Sequence, residues 1–338
     1  MTHSIVAEQL AKTFGETKAL AGVDLAVPTG TVFGLLGPNG AGKTTTVRIL
    51  ATLLRPDGGH ATVGGYDVVR QAHQVRQIVG LTGQYASVDE TLTGVENLIL
   101  IGRLVGQSRS TARGTARELL DKFRLTDAGE RAVKTYSGGM RRRLDLAASL
   151  VTRPQVLYLD EPTTGLDPRS RNDMWDVIRG LVSDGVTVLL TTQYLDEADH
   201  LADEIAVVDH GRVIAQGTSA ELKARVGALT VAVRPVDPDD LPHLTADVAA
   251  FATATPEVHG TLVTAPIADP AVLPKLVRRL DDRNILAAEL TLRQSSLDEV
   301  FLSLTGRRTD NDATAELVGA AAVRGAATPG IDDEGSHA

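Results

Sequence analysis

The stretch GLLGPNGAGKTTT, residues 34–46, constrains this chain more than any other. The apolar run Val32–Leu36 leads into it and the helix-patterned TTVRILATLL leads out. Between them, Gly37, four residues, Gly42, Lys43 and Thr44 have the spacing of a phosphate loop. Such a loop needs a strand and a helix to hold it. Its glycines let backbone N–H groups turn inward around phosphate oxygens, and the helix adds its positive N-terminal end. The candidate phosphate contacts are therefore Gly37, Pro38, Asn39, Gly40, Ala41, Gly42, Lys43, Thr44 and Thr45. In this arrangement the lysine bridges the terminal phosphates of a nucleotide, and the Thr44 hydroxyl is placed to ligate Mg²⁺. The fold class that follows is α/β, a P-loop NTPase.

VLYLDEP, residues 156–162, supplies a second half. Four apolar residues predict a buried strand, and Asp160 and Glu161 emerge at its carboxyl end, where open parallel sheets bind ligands. Asp160 is the candidate Mg²⁺ ligand, directly or through water. Glu161 is the candidate general base for an attacking water. Val32–Leu36, Val156–Leu159 and Val186–Leu190 are apolar without alternation, the pattern of strands covered on both faces.

The alternation of such runs with helical patterns predicts a nucleotide domain over 1–226 with a mixed sheet. Residues 93–150 have a helical texture and read as an inserted subdomain. Thr93 and Glu96 have capping-box spacing, and Thr115–Leu125 is amphipathic. A second module, 227–306, reads as βαββαβ, the order of a ferredoxin-like α+β unit. Its expected elements are Leu229–Arg234, Asp240–Ala250, strands near Glu257 and at Thr261–Pro266, Ala271–Leu280 and Ala287–Arg293. A final helix follows in SSLDEVFLSLTG, with Ser296 and Glu299 again at capping-box spacing and Gly306 as a stop. Residues 307–338 carry no period and are expected to be a disordered tail.

Composition removes several function classes. The net charge of −9 and an aromatic content of 3% argue against nucleic-acid binding. No window approaches 18 apolar residues, so no direct membrane span is expected, and the N-terminal stretch lacks the pattern of a secretory signal. The absence of cysteine rules out disulfides and thiolate chemistry.

YSGGMRRRLDLAASL, residues 136–150, resembles the signature motif of ABC-type ATPases. Ser137, Gly138 and Gly139 stand where such a motif caps a helix that faces an anion. In that family two domains dock head to tail, so each phosphate loop meets the other subunit's signature. The resemblance thus implies a homodimer around two ATP. By the same resemblance Gln84 in TGQYASVDETLTGVENL matches the glutamine that approaches Mg²⁺ and the water. TTGLDP (163–168) resembles the loop whose aspartate, here Asp167, reaches across the dimer. Phe14 in KTFG matches the aromatic that stacks on adenine.

These motifs, with TTQYLDEAD and LDEVFLSLTG, are together similar to the daunorubicin/doxorubicin-resistance ATP-binding subunits. That resemblance implies ATP hydrolysis coupled to export of a hydrophobic, drug-like substrate through a separate multi-span permease. The protein would then sit at the cytoplasmic face of the cell membrane, held by the permease. It also implies a role in subunit assembly for the C-terminal module and its LDEVFL helix; the other reading of that helix is packing on its own module alone. A soluble ABC ATPase acting on ribosomes or DNA is disfavoured by the single cassette and acidic charge. An importer ATPase is disfavoured by the α/β pattern after 227.

One position departs from the wider family. Where a histidine braces the γ-phosphate and water, TTQYLDEAD has Gln193. An amide keeps a donor for phosphate and an acceptor for water but carries no proton or charge. Positioning and charge stabilisation dominate phosphoryl transfer, so a live site is expected, with Gln193 as a candidate catalytic residue. Arg141–Arg143 reads as a mostly solvated helix face, with a γ-phosphate or partner contact as the other reading, and His210 as a residue of a hairpin turn.

Overall fold

The computed structural model describes residues 2–83, 88–226, 229–294 and 296–305. The chain opens with β1 (His3–Phe14) and β2 (Thr17–Pro28), then β3 (Val32–Leu36), α1 (Lys43–Leu50), β4 (Gly58–Val63) and β5 (Tyr66–Asp67). Next come α2 (Ala72–Ile78), β6 (Val79–Thr82), α3 (Gly94–Leu104), α4 (Arg109–Lys122) and α5 (Gly138–Ser149). They are followed by β7 (Val156–Asp160), α6 (Pro168–Ser183), β8 (Thr187–Thr192), α7 (Leu195–Leu201), β9 (Glu204–Asp209), β10 (Arg212–Gly217) and α8 (Ser219–Val226). The last stretch holds β11 (Leu229–Pro235), α9 (Leu241–Ala249), β12 (Glu257–His259) and β13 (Leu262–Ile267). It ends with α10 (Val272–Asp282), β14 (Ala287–Gln294) and α11 (Leu297–Thr305).

Three sheets result. β2, β1, β4 and β5 form an antiparallel sheet in that order. The second runs β10-β9-β3-β8-β7-β6, with every neighbour parallel except the β10–β9 hairpin. His210 and Gly211 turn that hairpin with φ of 45° and 71°, the left-handed pair a tight two-residue turn demands.

Every residue of β3, β7 and β8 is buried, as their unbroken apolar runs predict. The period of two survives in which core each side chain enters. Leu157 and Leu159, with Val188 and Leu190, face a cluster built with Phe123, Leu144 and other residues of the helices. Tyr158, Leu189, Phe33 and Leu35 face the opposite cluster, shared with the antiparallel sheet and α1. Each buried side chain of this size contributes about 1.5–3 kcal/mol. The central strands therefore bind two otherwise separate halves of the domain.

The helices α3, α4 and α5 fill the crossover between the adjacent parallel strands β6 and β7. Thr93 and Glu96 close the predicted capping box, with Thr93 N–H donating to Glu96 Oε2 at 2.8 Å and Glu96 N–H to Thr93 Oγ1 at 3.1 Å. The next helix starts earlier than the amphipathic stretch at Thr115 indicated. Ser108 caps it by accepting from Thr111 N–H at 3.1 Å.

After β10 the chain builds the expected βαββαβ unit. Its sheet runs β12-β13-β11-β14 with all neighbours antiparallel, and α9 and α10 cover one face. The final helix corrects one expectation, that it packs on its own module alone. Leu297, Val300 and Phe301 instead enter a core with Leu195 of α7, Val207 of β9 and Leu222 of α8. Its apolar stripe is thus satisfied by the nucleotide domain. Its capping-box residue Glu299 accepts from the Thr230 hydroxyl of β11 at 2.9 Å. The expected tail lies outside the described residues.

Candidate active site

The phosphate loop is shaped by close backbone approach. A Cβ on Gly37 would stand 2.2 Å from the Val208 carbonyl oxygen, which only glycine tolerates. Gly42, the cap of α1, has φ 109°, and a Cβ there would meet Ala19 O at 2.7 Å. Asn39 and Gly40 are exposed at the crest, Pro38, Thr44 and Thr45 half-buried beside it, and Ala41 tucked under it. Lys43 is 5% exposed, and its ammonium donates to Gly37 O at 2.6 Å and Pro38 O at 3.0 Å. Burial lowers its pKa, against the opposing charges of Glu161 and Asp160. One lysine and two carboxylates thus share one small space.

Strand register explains how they meet. Leu36 pairs with Thr192 and Thr191 with Asp160, so the loop, the acids and Gln193 leave three adjacent parallel strands at one level. Thr44 Oγ1 donates to Asp160 Oδ1 at 3.2 Å, and Thr191 Oγ1 to the same oxygen at 2.5 Å. Glu161 is half-buried, with its N–H on Thr191 O at 3.0 Å and its Oε2 accepting from Thr164 Oγ1 at 3.4 Å. Its φ of 50° lies in the left-handed region, a conformation that costs about 1 kcal/mol or more for a residue with a side chain. A hydroxyl and a carboxylate in contact are hard oxygen donors, the set that suits Mg²⁺.

Comparison with known proteins agrees with this geometry. The ABC transporter family model matches residues 20–164. The daunorubicin/doxorubicin resistance ATP-binding protein of Streptomyces peucetius is 53% identical over 319 residues, 93% of this chain and 96% of that protein. The chain belongs to that family of ABC transporter ATP-binding subunits. The Nod factor export ATP-binding protein I of Ralstonia nicotianae is 40% identical over 90% of this chain and 95% of its own length. The ADP-bound form of an ABC transporter's ATP-binding cassette superposes with a TM-score of 0.61 at 26% identity, covering 65% of this chain and 93% of that one. As a member of this family the protein binds and hydrolyses ATP.

The cassette's other expected residues are spread around this centre. Ser137 caps α5 by accepting from Met140 N–H at 3.2 Å. Gly138 is exposed with nothing within 4 Å of a Cβ placed on it, whereas Gly139 rests against Ser170 of α6. Asp167 caps α6, accepting from Ser170 N–H at 2.9 Å and Ser170 Oγ at 2.6 Å, and these bonds hold its pKa below the usual carboxylate value. Phe14 ends β1 and is 49% exposed, so it is no core residue, and Lys12 Nζ lies 5.6 Å from its ring centroid. Gln193 is half-buried one residue past the end of β8. Gln84 lies outside the described residues.

The solvated-face reading of Arg141–Arg143 fails at Arg142. Its side chain is only 14% exposed, and it donates to four backbone carbonyls around the carboxyl ends of β6 and β7. The signal was present in the sequence: Asp145, one helical turn on, sits among apolar residues, and a buried carboxylate calls for a nearby cation. Thr191 was also missed, because a hydroxyl in an apolar strand reads as a β-branched filler.

Proposed function

We propose that this ATPase closes head to tail with a second copy around two ATP and drives a separate multi-span permease. In that reading the phosphates lie on the loop Gly37–Thr45, adenine stacks on Phe14, and Thr44 and Asp160 would hold Mg²⁺, with Gln84 a further candidate by the family resemblance. A divalent cation held by those residues would supply positive charge against the charge that develops on the transferring phosphoryl group. Lys43 shares that task. Glu161 takes the proton of the attacking water, and the Gln193 amide orients the water and γ-phosphate.

The observation that carries this reading is the contact of Thr44 with Asp160, with Glu161 as the next residue. The partner copy's Ser137, Gly138 and Gly139 would close over the phosphates, and Asp167 would reach across the same seam. The drug-resistance relatives support export of a hydrophobic, drug-like amphiphile, and the permease would hold the protein at the cytoplasmic face of the membrane. No described helix is long and apolar enough to cross a membrane.

Glu161→Gln tests the reading. The expected outcome is a loss of about 10²–10⁴ in ATP turnover with ATP still bound. The variant should also elute as a dimer in ATP and as a monomer without it. Wild-type turnover would remove Glu161 as base, and an ATP-independent monomer would remove the dimer. Co-purification of a multi-span membrane protein checks the permease, whereas ribosomes or DNA in its place would overturn it.

A further inference from the structure

The signature helix and the catalytic strand are joined through a single side chain. From α5, Arg142 donates through Nε to Pro162 O at 2.8 Å and through Nη1 to Gly83 O at 2.7 Å. Its Nη2 donates to Glu161 O at 3.1 Å and Asp160 O at 3.2 Å. Successive carbonyls of an extended strand point to opposite sides. Here Glu161 turns into the left-handed region, and three consecutive carbonyls converge on one guanidinium. On its other side the Glu161 N–H is taken by Thr191. Asp145, fully buried on α5, lies 3.5 Å from Nη1 and supplies counter-charge. Only a planar fork of five donors serves carbonyls in several directions at once; an ammonium is a point charge with three.

We propose that Arg142 is a positioning residue for ATP hydrolysis. It holds the backbone turn that aims Glu161, and it ties that turn to the signature helix and to Gly83, the residue before Gln84. Movement of α5 is thereby transmitted to the base. The inference rests on Glu161 as general base, since Arg142 acts through it.

The test uses the full-length chain with Arg142→Lys, Arg142→Met, Glu161→Gln and the double variant Glu161→Gln/Arg142→Met. Turnover, the dissociation constant for ATP and thermal unfolding are measured for each. Arg142→Met should lose about a hundredfold in kcat and Arg142→Lys about tenfold, with ATP affinity held within about twofold. In the Glu161→Gln background, Arg142→Met should slow the residual rate no further, because the two act as one unit. Should Arg142→Met fail to fold, Arg142→Lys carries the same readouts, alone and with Glu161→Gln. Wild-type kcat in a folded Arg142 variant overturns the proposal. So does ATP affinity falling in step with rate, or the same slowing in both backgrounds. Wild-type turnover in Glu161→Gln alone would instead strike the base assignment.

Discussion

Two glycine-rich turns start helices in this molecule, and they are built for different conditions. The phosphate loop is crowded: Gly37 presses on the Val208 carbonyl, Gly42 on Ala19, and Lys43 is folded underneath. The signature turn is open. Ser137 caps its own helix, and among the described residues nothing lies within 4 Å of a Cβ placed on Gly138 and Ser170 alone within 4 Å of one on Gly139. The first turn has its chemical partners, Asp160 and Glu161, in the same chain. The second is an anion-ready helix end whose described charged neighbours are already engaged, Arg141 pairing with Glu90 at 2.9 Å and Asp167 accepting from Ser170 Oγ at 2.6 Å, and on the proposed reading it is half of a shared site.

The strongest way to break this comparison is to fill the open turn. Gly138→Val has room in the isolated fold, so thermal stability should stay at the wild-type value. If the turn closes on another copy's phosphate, turnover should fall about a hundredfold, because the closing geometry is lost. Equal turnover in a steady-state ATPase assay would mean that Gly138 meets nothing. The crowded turn should behave in the opposite way. Gly37→Ala forces a methyl onto a backbone carbonyl and should destabilise the fold by about 1–3 kcal/mol, read by denaturant unfolding before any assay of rate.

A smaller effect sharpens the catalytic side. Gln193→Ala should lower kcat about tenfold with ATP affinity retained, the loss of a positioned neutral hydrogen bond rather than of a charge. No loss in kcat would make Gln193 a bystander. The smallest effect concerns Glu197, fully buried in α7 with the Trp175 indole donating to its Oε1 at 3.3 Å. Burial pushes its carboxyl above the ordinary range, although the hydroxyls of Thr192 and Thr163 oppose the shift. Folding therefore favours the protonated form. That stability is complete below the unfolded pKa and is lost as pH rises through the raised folded value. Glu197→Gln cannot ionise, so its melting temperature should decline less on raising pH than the wild type's. Parallel declines would show that another group sets the slope.

Much of the fold and most of the candidate site's local elements were legible in the sequence. The phosphate loop, the Asp160–Glu161 pair and the capping boxes at Thr93 and Ser296 are local. Each is specified within a few residues by turn chemistry and by side chains that answer their own backbone. The order of the C-terminal module was also legible, because its strands alternate and its helices carry one apolar stripe. The motif at 136–150 was recognisable for the same reason, yet Arg142 within it was misread. Local polarity suggests a solvated arginine, and although Asp145 among apolar residues signals a nearby cation, nothing local says which distant carbonyls that cation will meet.

The sequence by itself determined that this chain has a nucleotide site, which residues shape its loop, and which acids stand at the end of the next motif strand. Tertiary structure decided how those pieces support one another. Thr191 reaches Asp160 across 31 residues of chain, and Arg142 reaches Gly83 across 59. α11 finds its apolar partners in the nucleotide domain instead of the module it follows. The physical reason is common to all three. A backbone turn or a cap is satisfied by near neighbours in the chain, whereas burial and long-range hydrogen bonds depend on which elements the sheet order places side by side.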